Sequence, residues 1–319
     1  MIKSHIKEFV IKSPHSKSYD SSCILPLKGD DVLCAWTEGT KEGQKDFKVY
    51  TSVKENGSWS EPVEICANEK KAHWNPVLFK NQNGEYILYF KVGHKVPSWK
   101  TYFCTSMDAK NWSEPKELVK GDITGGRGPS KNKPIILQNG RILAPASDER
   151  NSLFVSYIDI SDDCGLTWRR TKNIPTHSLL KLYIPMTQPA LWQSKNGDVH
   201  MLARTHRGRI FKSDSTDNGE TWCMAYPTRI PNPNSPIDLC VHEDGRIFLV
   251  CNPVSKKDVR SPLYLMVSEN DGKSFVKLMC LEERDGDYAY PSIAIDKNTL
   301  HITYTFNTEN IVYRKIELL

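Results

Sequence analysis

The stretch Ser215-Thr-Asp-Asn-Gly-Glu-Thr-Trp222 fits the pattern Ser-x-Asp-x-Gly-x-Thr-Trp at every specified position, and Ser161-Asp-Asp-Cys-Gly-Leu-Thr-Trp168 fits it again. Ser268-Glu-Asn-Asp-Gly-Lys-Ser-Phe275 is a drifted third copy. The residue types are those of a hairpin turn. Asp217 can accept hydrogen bonds from nearby backbone N–H groups, and Gly219 tolerates positive φ. Thr221 and Trp222 suit the opening of the next strand. The aspartate of this box is therefore a turn former, not a catalyst.

Weaker copies run from Ser52 to Trp59 and from Thr105 to Trp112. The closing aromatics Trp59, Trp112, Trp168, Trp222 and Phe275 recur every 53 to 56 residues, in the range of a four-stranded propeller blade. Each box is preceded by the same grammar: a polar entry, an apolar strand, a tight turn, and two further strands. The turns include Asn83-Gly84, Asn139-Gly140, Asn196-Gly197 and Asp244-Gly245. A sixth unit starting at Tyr290 lacks a fourth strand, which the orphaned Phe9-Val-Ile11 segment can supply. The expected fold is all-β: a six-bladed β-propeller of four-stranded antiparallel blades, its ring closed by the N-terminal strand, as one domain over residues 1–319.

Bulk properties exclude several function classes. The net charge of +5 is spread over 319 residues, so no basic face marks a nucleic-acid partner. No apolar run approaches the roughly 20 residues of a membrane span. Met1-Ile-Lys-Ser-His-Ile-Lys-Glu8 has no apolar leader core. Cys34, Cys104, Cys240, Cys251 and Cys280 sit in apolar strand-like runs and read as buried thiols. Together these favour a cytoplasmic setting. Zinc spacing, a glycine-rich phosphate loop and a serine-hydrolase elbow are all missing, so no metal or cofactor is expected.

In a propeller blade the first strand starts, and the second ends, on the face opposite the boxes. A site should draw on residues at those ends. Five first-strand entries carry a proline, at Pro76, Pro134, Pro189, Pro236 and Pro291, which stiffens the backbone beside a polar side chain. Arg127, Arg204, Lys91, Lys131 and Lys133 are candidate binders of a carboxylate or sulfate. Asn75, Gln188, Asp238 and Tyr288 are further candidate substrate contacts. Asp148 and Glu149 are candidate general acids, with Asp238 and Glu38 behind them. His73 is a candidate proton donor or base.

The intact boxes at blade spacing, over nearly the whole chain, resemble those of the sialidase (neuraminidase) superfamily in its bacterial-neuraminidase-repeat branch. The resemblance implies an exo-acting glycoside hydrolase with an acidic glycan as partner. It also implies that a tyrosine late in the chain, Tyr290 or Tyr288, is the nucleophile. Typical members carry an arginine on the first strand, completing an arginine triad. Here Ser21-Ser-Cys-Ile-Leu-Pro26 has none, so a different acidic sugar, such as a uronic acid, is a reasonable substrate. A lyase acting on uronate-containing glycans and a non-catalytic glycan-binding propeller are the alternatives.

Overall fold

The box turns are held by a closed set of short hydrogen bonds. In the computed structural model, which describes residues 2–150, 154–177 and 183–319, Ser215 Oγ accepts from the Gly219 N–H at 3.0 Å and donates to Asp217 Oδ1 at 2.7 Å. Asp217 accepts from the Thr221 N–H at 2.9 Å and from its hydroxyl at 2.6 Å. Trp222 Nε1 donates back to the Gly219 carbonyl at 3.1 Å. The Ser161–Trp168 box repeats the arrangement.

The drifted copy keeps the geometry by a paired change. Asn270 replaces the aspartate and Ser274 the threonine, and the amide now donates to Ser274 Oγ at 2.8 Å. The copy ending at Trp112 is one residue shorter than the intact boxes. Its serine is Ser106, which donates to Asp108 at 2.9 Å, and Ala109 takes the left-handed backbone at φ 64°. With no matching glycine carbonyl, Trp112 Nε1 is buried without a hydrogen-bond partner among the described residues. The Ser52–Trp59 copy has become a plain Asn56-Gly57 hairpin, with Trp59 Nε1 donating to Glu8 at 2.8 Å.

Six antiparallel sheets result, the blades of a β-propeller. Their innermost strands are Ser18–Pro26, His73–Lys80, Ile135–Ile136, Met186–Gln193, Asp238–Val241 and Tyr288–Asp296. The fourth strand of blade six is Ile2–Phe9, antiparallel to Asn310–Leu318. The N-terminus thus completes the last blade, as expected, with a strand that ends where the orphaned segment begins. Val10 and Ile11 instead turn into the core against Trp36 and Tyr313. No described helix is long and apolar enough to cross a membrane.

By internal contacts the chain divides into two compact units. One, Met1–Ile123 with Gly286–Leu319, holds blades six, one and two; the other, Thr124–Asp285, holds blades three, four and five. Within each unit the apolar cores lie between consecutive blades. Leu143, Ile158, Met201, Phe211 and Trp222 join blades three and four. Trp192, Leu202, Leu239, Leu249 and Met266 join blades four and five. Cys34, Cys104 and Cys251 are buried as expected, whereas Cys240 and Cys280 are half-buried.

The box glycines explain how consecutive blades meet. Gly219 has φ +84°, and a Cβ there would lie 2.6 Å from Leu143 Cδ1 of the preceding blade. Gly272 repeats this against Trp192 at 2.5 Å. Gly197, in an Asn-Gly turn, has φ +95° but nothing within 4 Å. Gly197→Ala therefore adds only backbone strain, about 1 kcal/mol. Gly219→Ala adds a clash and is expected to cost about 1–3 kcal/mol more. Urea unfolding of the two variants checks this; equal losses would contradict it.

Candidate functional site

The first strands of four blades break at the same place. Pairing with the second strand slips between Asp20 and Cys23, Trp74 and Val77, Thr187 and Ala190, and Ala289 and Ser292. In each slip a non-glycine residue takes the left-handed region: Ser21 (φ 54°), Asn75 (φ 46°), Gln188 (φ 54°) and Tyr290 (φ 47°). Such bulges re-aim a side chain, and left-handed non-glycine residues cost about 1–3 kcal/mol each and cluster at functional sites. Three of the four are followed by proline, which has no N–H to leave unpaired. The X-Pro dipeptides at the strand entries were the readable signal for these bulges. Ser21, which lacks a proline, was missed by sequence reasoning.

In the unit of blades six, one and two, Ser21 Oγ donates to Asn75 Oδ1 at 3.2 Å, and the Ser21 N–H donates to Thr305 Oγ1 at 3.2 Å. Thr305 in turn donates to the buried Asp20 at 2.8 Å. Tyr290 is half-buried. Tyr288 is buried, its ring 5.3 Å from that of Phe306.

Two other candidates of this unit are engaged in the fold. Lys91 is 1% exposed and donates to Thr101 at 2.7 Å, on the third strand of its own blade. His73 is fully buried. Its Nδ1 lies 3.0 Å from the Lys71 carbonyl and so carries the proton, while Nε2 accepts from the Ala67 N–H at 2.9 Å. Burial, reinforced by the Lys48 charge, pushes its pKa down to about 3. His73 is thereby neutral at physiological pH, with both nitrogens occupied, which corrects its expected part in proton transfer. Glu38 is likewise buried, accepting from Trp36 Nε1 at 2.6 Å and Ser16 Oγ at 2.9 Å.

In the unit of blades three, four and five, Arg127 grips the buried Asp159 through Nε at 2.9 Å and Nη2 at 2.6 Å. Asp159 also accepts from the Gly128 N–H at 2.5 Å. This bidentate pair commits Nε and Nη2 of Arg127, expected to contact substrate, to an internal carboxylate. Asp148 is gripped by Arg150 at 2.7 and 2.9 Å and faces Arg170 at 3.7 Å. Burial pushes its carboxyl up, but the Arg150 hydrogen bonds outweigh this and hold it below its ordinary value. It is thus ionised at neutral pH, the wrong state for a resting general acid. Among the described residues, Glu149 accepts one hydrogen bond, from Ser147 at 3.0 Å.

The entry to blade three departs from the expected strand. Lys131 to Pro134 is not paired as a strand, and only Ile135–Ile136 is. Side-chain bonds take over. Lys131 Nζ donates to the Ile237 carbonyl at 3.1 Å, and Lys133 pairs with Asp238 at 2.5 Å. Asn132 Nδ2 donates to the carbonyls of Gln188 and Pro189 at 3.0 and 3.1 Å. Arg204 Nη1 donates to the Asn234 carbonyl at 2.8 Å. Lys131 and Lys133 thus tie this entry to Ile237 and Asp238, and Asn132, another residue that sequence reasoning missed, ties it to the Gln188 bulge, while Arg204 holds the Asn234 carbonyl separately. Away from the strand entries, Glu64, Cys66 and Glu69 hold ligand-type atoms within 4.8 Å of one another. Tyr50 donates to Glu64 there at 2.7 Å.

The fold defines a propeller of Asp-box blades, and family comparison agrees. Residues 30–302 match the family model described as a BNR repeat-like domain. The chain belongs to that family. No curated protein matches. Among solved structures, a protein of unknown function from Dyadobacter fermentans DSM 18053 is similar at TM-score 0.77 and 17% identity, covering 98% of both chains. The Hadza microbial sialidase Hz136 is similar at TM-score 0.80 and 14% identity, covering 98% of this chain and 68% of that one. Trypanosoma rangeli sialidase is similar at TM-score 0.75 and 13% identity, covering 100% of this chain and 60% of the other. At these identities the likeness is one of fold.

Two measurements check the reassigned residues. The His73 imidazole is expected to show no titration by NMR between pH 5 and 8; a midpoint near 6.5 would contradict the burial argument. Arg127→Ala is expected to cost roughly 3–5 kcal/mol of stability, because it strands a buried carboxylate.

Proposed function

We propose that this chain is an exo-acting, sialidase-type glycoside hydrolase that removes a terminal acidic sugar, sialic acid or a uronic acid, from a glycan. The observation that carries the reading is the left-handed bulge that sets Tyr290, Asn75, Ser21 and Gln188 at one position of four inner strands. Membership of the BNR repeat-like family and the sialidase folds among its structural neighbours support it.

Tyr290 is the proposed nucleophile. A phenol suits an anionic sugar, because a carboxylate nucleophile would be repelled by the substrate's own charge. Its oxygen bonds to the anomeric carbon as the glycosidic C–O bond breaks; the phenol gives up its proton to solvent, the leaving oxygen takes one from a general acid, and water then hydrolyses the glycosyl-tyrosine, restoring the phenol. Glu149, which accepts from Ser147 and has no arginine partner among the described residues, is the proposed proton donor in place of the arginine-paired Asp148. Within the unit of blades three, four and five, Arg204 and Lys131 are the proposed anion contacts, with Gln188 and the Lys133–Asp238 pair as further candidates.

One observation favours a second reading. Arg127, Asp148 and His73, three residues expected to act on substrate, are spent on internal partners. A glycan-binding propeller without turnover needs none of them free. The 4-methylumbelliferyl glycosides of N-acetylneuraminic, glucuronic and galacturonic acids separate the two. The hydrolase reading predicts fluorophore release from at least one, reduced at least ~100-fold in Tyr290→Phe. Binding without release favours the second reading. An ultraviolet-absorbing unsaturated product from a uronate polysaccharide would mark a lyase instead.

A further inference from the structure

The segments that follow the second strands of blades four and five meet at the bulged end. Those strands are Val199–Thr205 and Ile247–Cys251, and Arg204 lies opposite Thr187 in the ladder, next to the Gln188 bulge. A Cβ on Gly208 would sit 3.6 Å from Ser255, so the two segments touch. Residues 204–209 hold Arg204, Arg207 and Arg209, and residues 252–262 hold Lys256, Lys257 and Arg260. Asp258 is the one acid in either segment, so this corner carries a positive surplus.

The fold does not use up that surplus. Arg207 and Lys256 are exposed and make no ion pair among the described residues. Lys257 lies 3.9 Å from Asp258, with the two side chains 79% and 82% exposed, and a contact so open to water contributes little. Cations gathered without matching acids attract an anionic ligand. The exposed His206 stands among them. Its ring packs 5.6 Å from that of Phe154, and Asn234 Nδ2 lies 3.4 Å from its nitrogens. Burial lowers its pKa, and the charges of Arg204 and Lys257 lower it further. Cations from both segments therefore act on this one ring.

An exposed, uncharged aromatic ring flanked by unmatched cations suits an acidic sugar. The apolar face of the sugar packs on the ring while its carboxylate or sulfate meets arginine and lysine. We propose that Arg207, Lys256 and Lys257, arranged about His206, form a subsite for an acidic sugar unit beyond the terminal one, so that the ligand is an oligosaccharide with more than one anionic group. The proposal rests on the reading of the ligand as an acidic glycan, and not on its turnover.

The test is calorimetric titration of the full chain with tetragalacturonate, with a chondroitin sulfate tetrasaccharide and with the neutral maltotetraose. At least one of the two anionic sugars is expected to bind, more weakly as salt is raised, and the neutral one not. Whichever binds tighter tells a carboxylate-bearing unit from a sulfate-bearing one. Arg207→Ala with Lys257→Ala is expected to weaken the tighter of the two at least ~10-fold, and His206→Ala about fivefold, with Tm unchanged because all three side chains are exposed. Lys256→Gln gives a milder check on the same surface, with a loss of about threefold. Binding of neither anionic sugar, an unchanged Kd in the variants, or equal binding of an oligothymidylate of the same charge would overturn the proposal. Losses in the variants without fluorophore release from any methylumbelliferyl glycoside would leave it standing while the hydrolase reading fell. Release with an unchanged Kd in the variants would do the reverse.

Discussion

The closest constraint in the structure is the approach of a box glycine to the blade before it. Gly219 lies where any side chain would strike Leu143, and Gly272 where one would strike Trp192. The box is thus more than a hairpin. Its serine, aspartate and threonine lock the turn, and the glycine lets that turn seat on its neighbour. The following Trp222 enters the same core as Leu143. Where the box has decayed, other contacts do the anchoring, as when Trp59 holds Glu8 of the N-terminal strand. Charged side chains add a second tie between boxes: Arg141 reaches Asp162 at 2.6 Å and Glu220 at 2.7 Å. Several of these groups are well exposed, so the ties contribute little beside the apolar contact.

Within each blade this arrangement separates two jobs. One end carries the box and the blade-to-blade packing. The other carries the bulges and the polar residues of the inner strand. The left-handed conformation of Ser21, Asn75, Gln188 and Tyr290 is locally unfavourable. It persists because a ladder on the same strand, such as Ala190 to Gln193 against Val199 to Leu202, fixes the register beyond it. Strain at one end is thus held by regular pairing at the other.

Much of the fold was legible because the box repeats. Ser161–Trp168 and Ser215–Trp222 gave the period, and the period gave the blades. The drifted Ser268–Phe275 copy stayed readable because Asn270 and Ser274 changed together and kept the same contacts. The site was legible only in part. The strand-entry prolines pointed at Asn75, Gln188 and Tyr290, since a proline tolerates an unpaired position. Partnership between distant residues could not be read. Asp159 sits in an apolar-looking strand, 32 residues beyond Arg127, and only the folded chain joins them. His73 looked like a titrating group because burial and the 67–71 loop around it leave no trace in local sequence. The strand expected from Lys131 is replaced by side-chain bonds to residues more than 50 positions away.

The central claim is that sugar is bound at the bulged end of the inner strands, and not at the box end. A crystal structure of the chain soaked with N-acetylneuraminic acid and with D-glucuronic acid tests it directly. The account predicts ligand density within hydrogen-bonding distance of at least one of Ser21, Asn75, Gln188 and Tyr290. Density confined to the box end, for example in the groove lined by Trp192, His242 and Asp271, would contradict it.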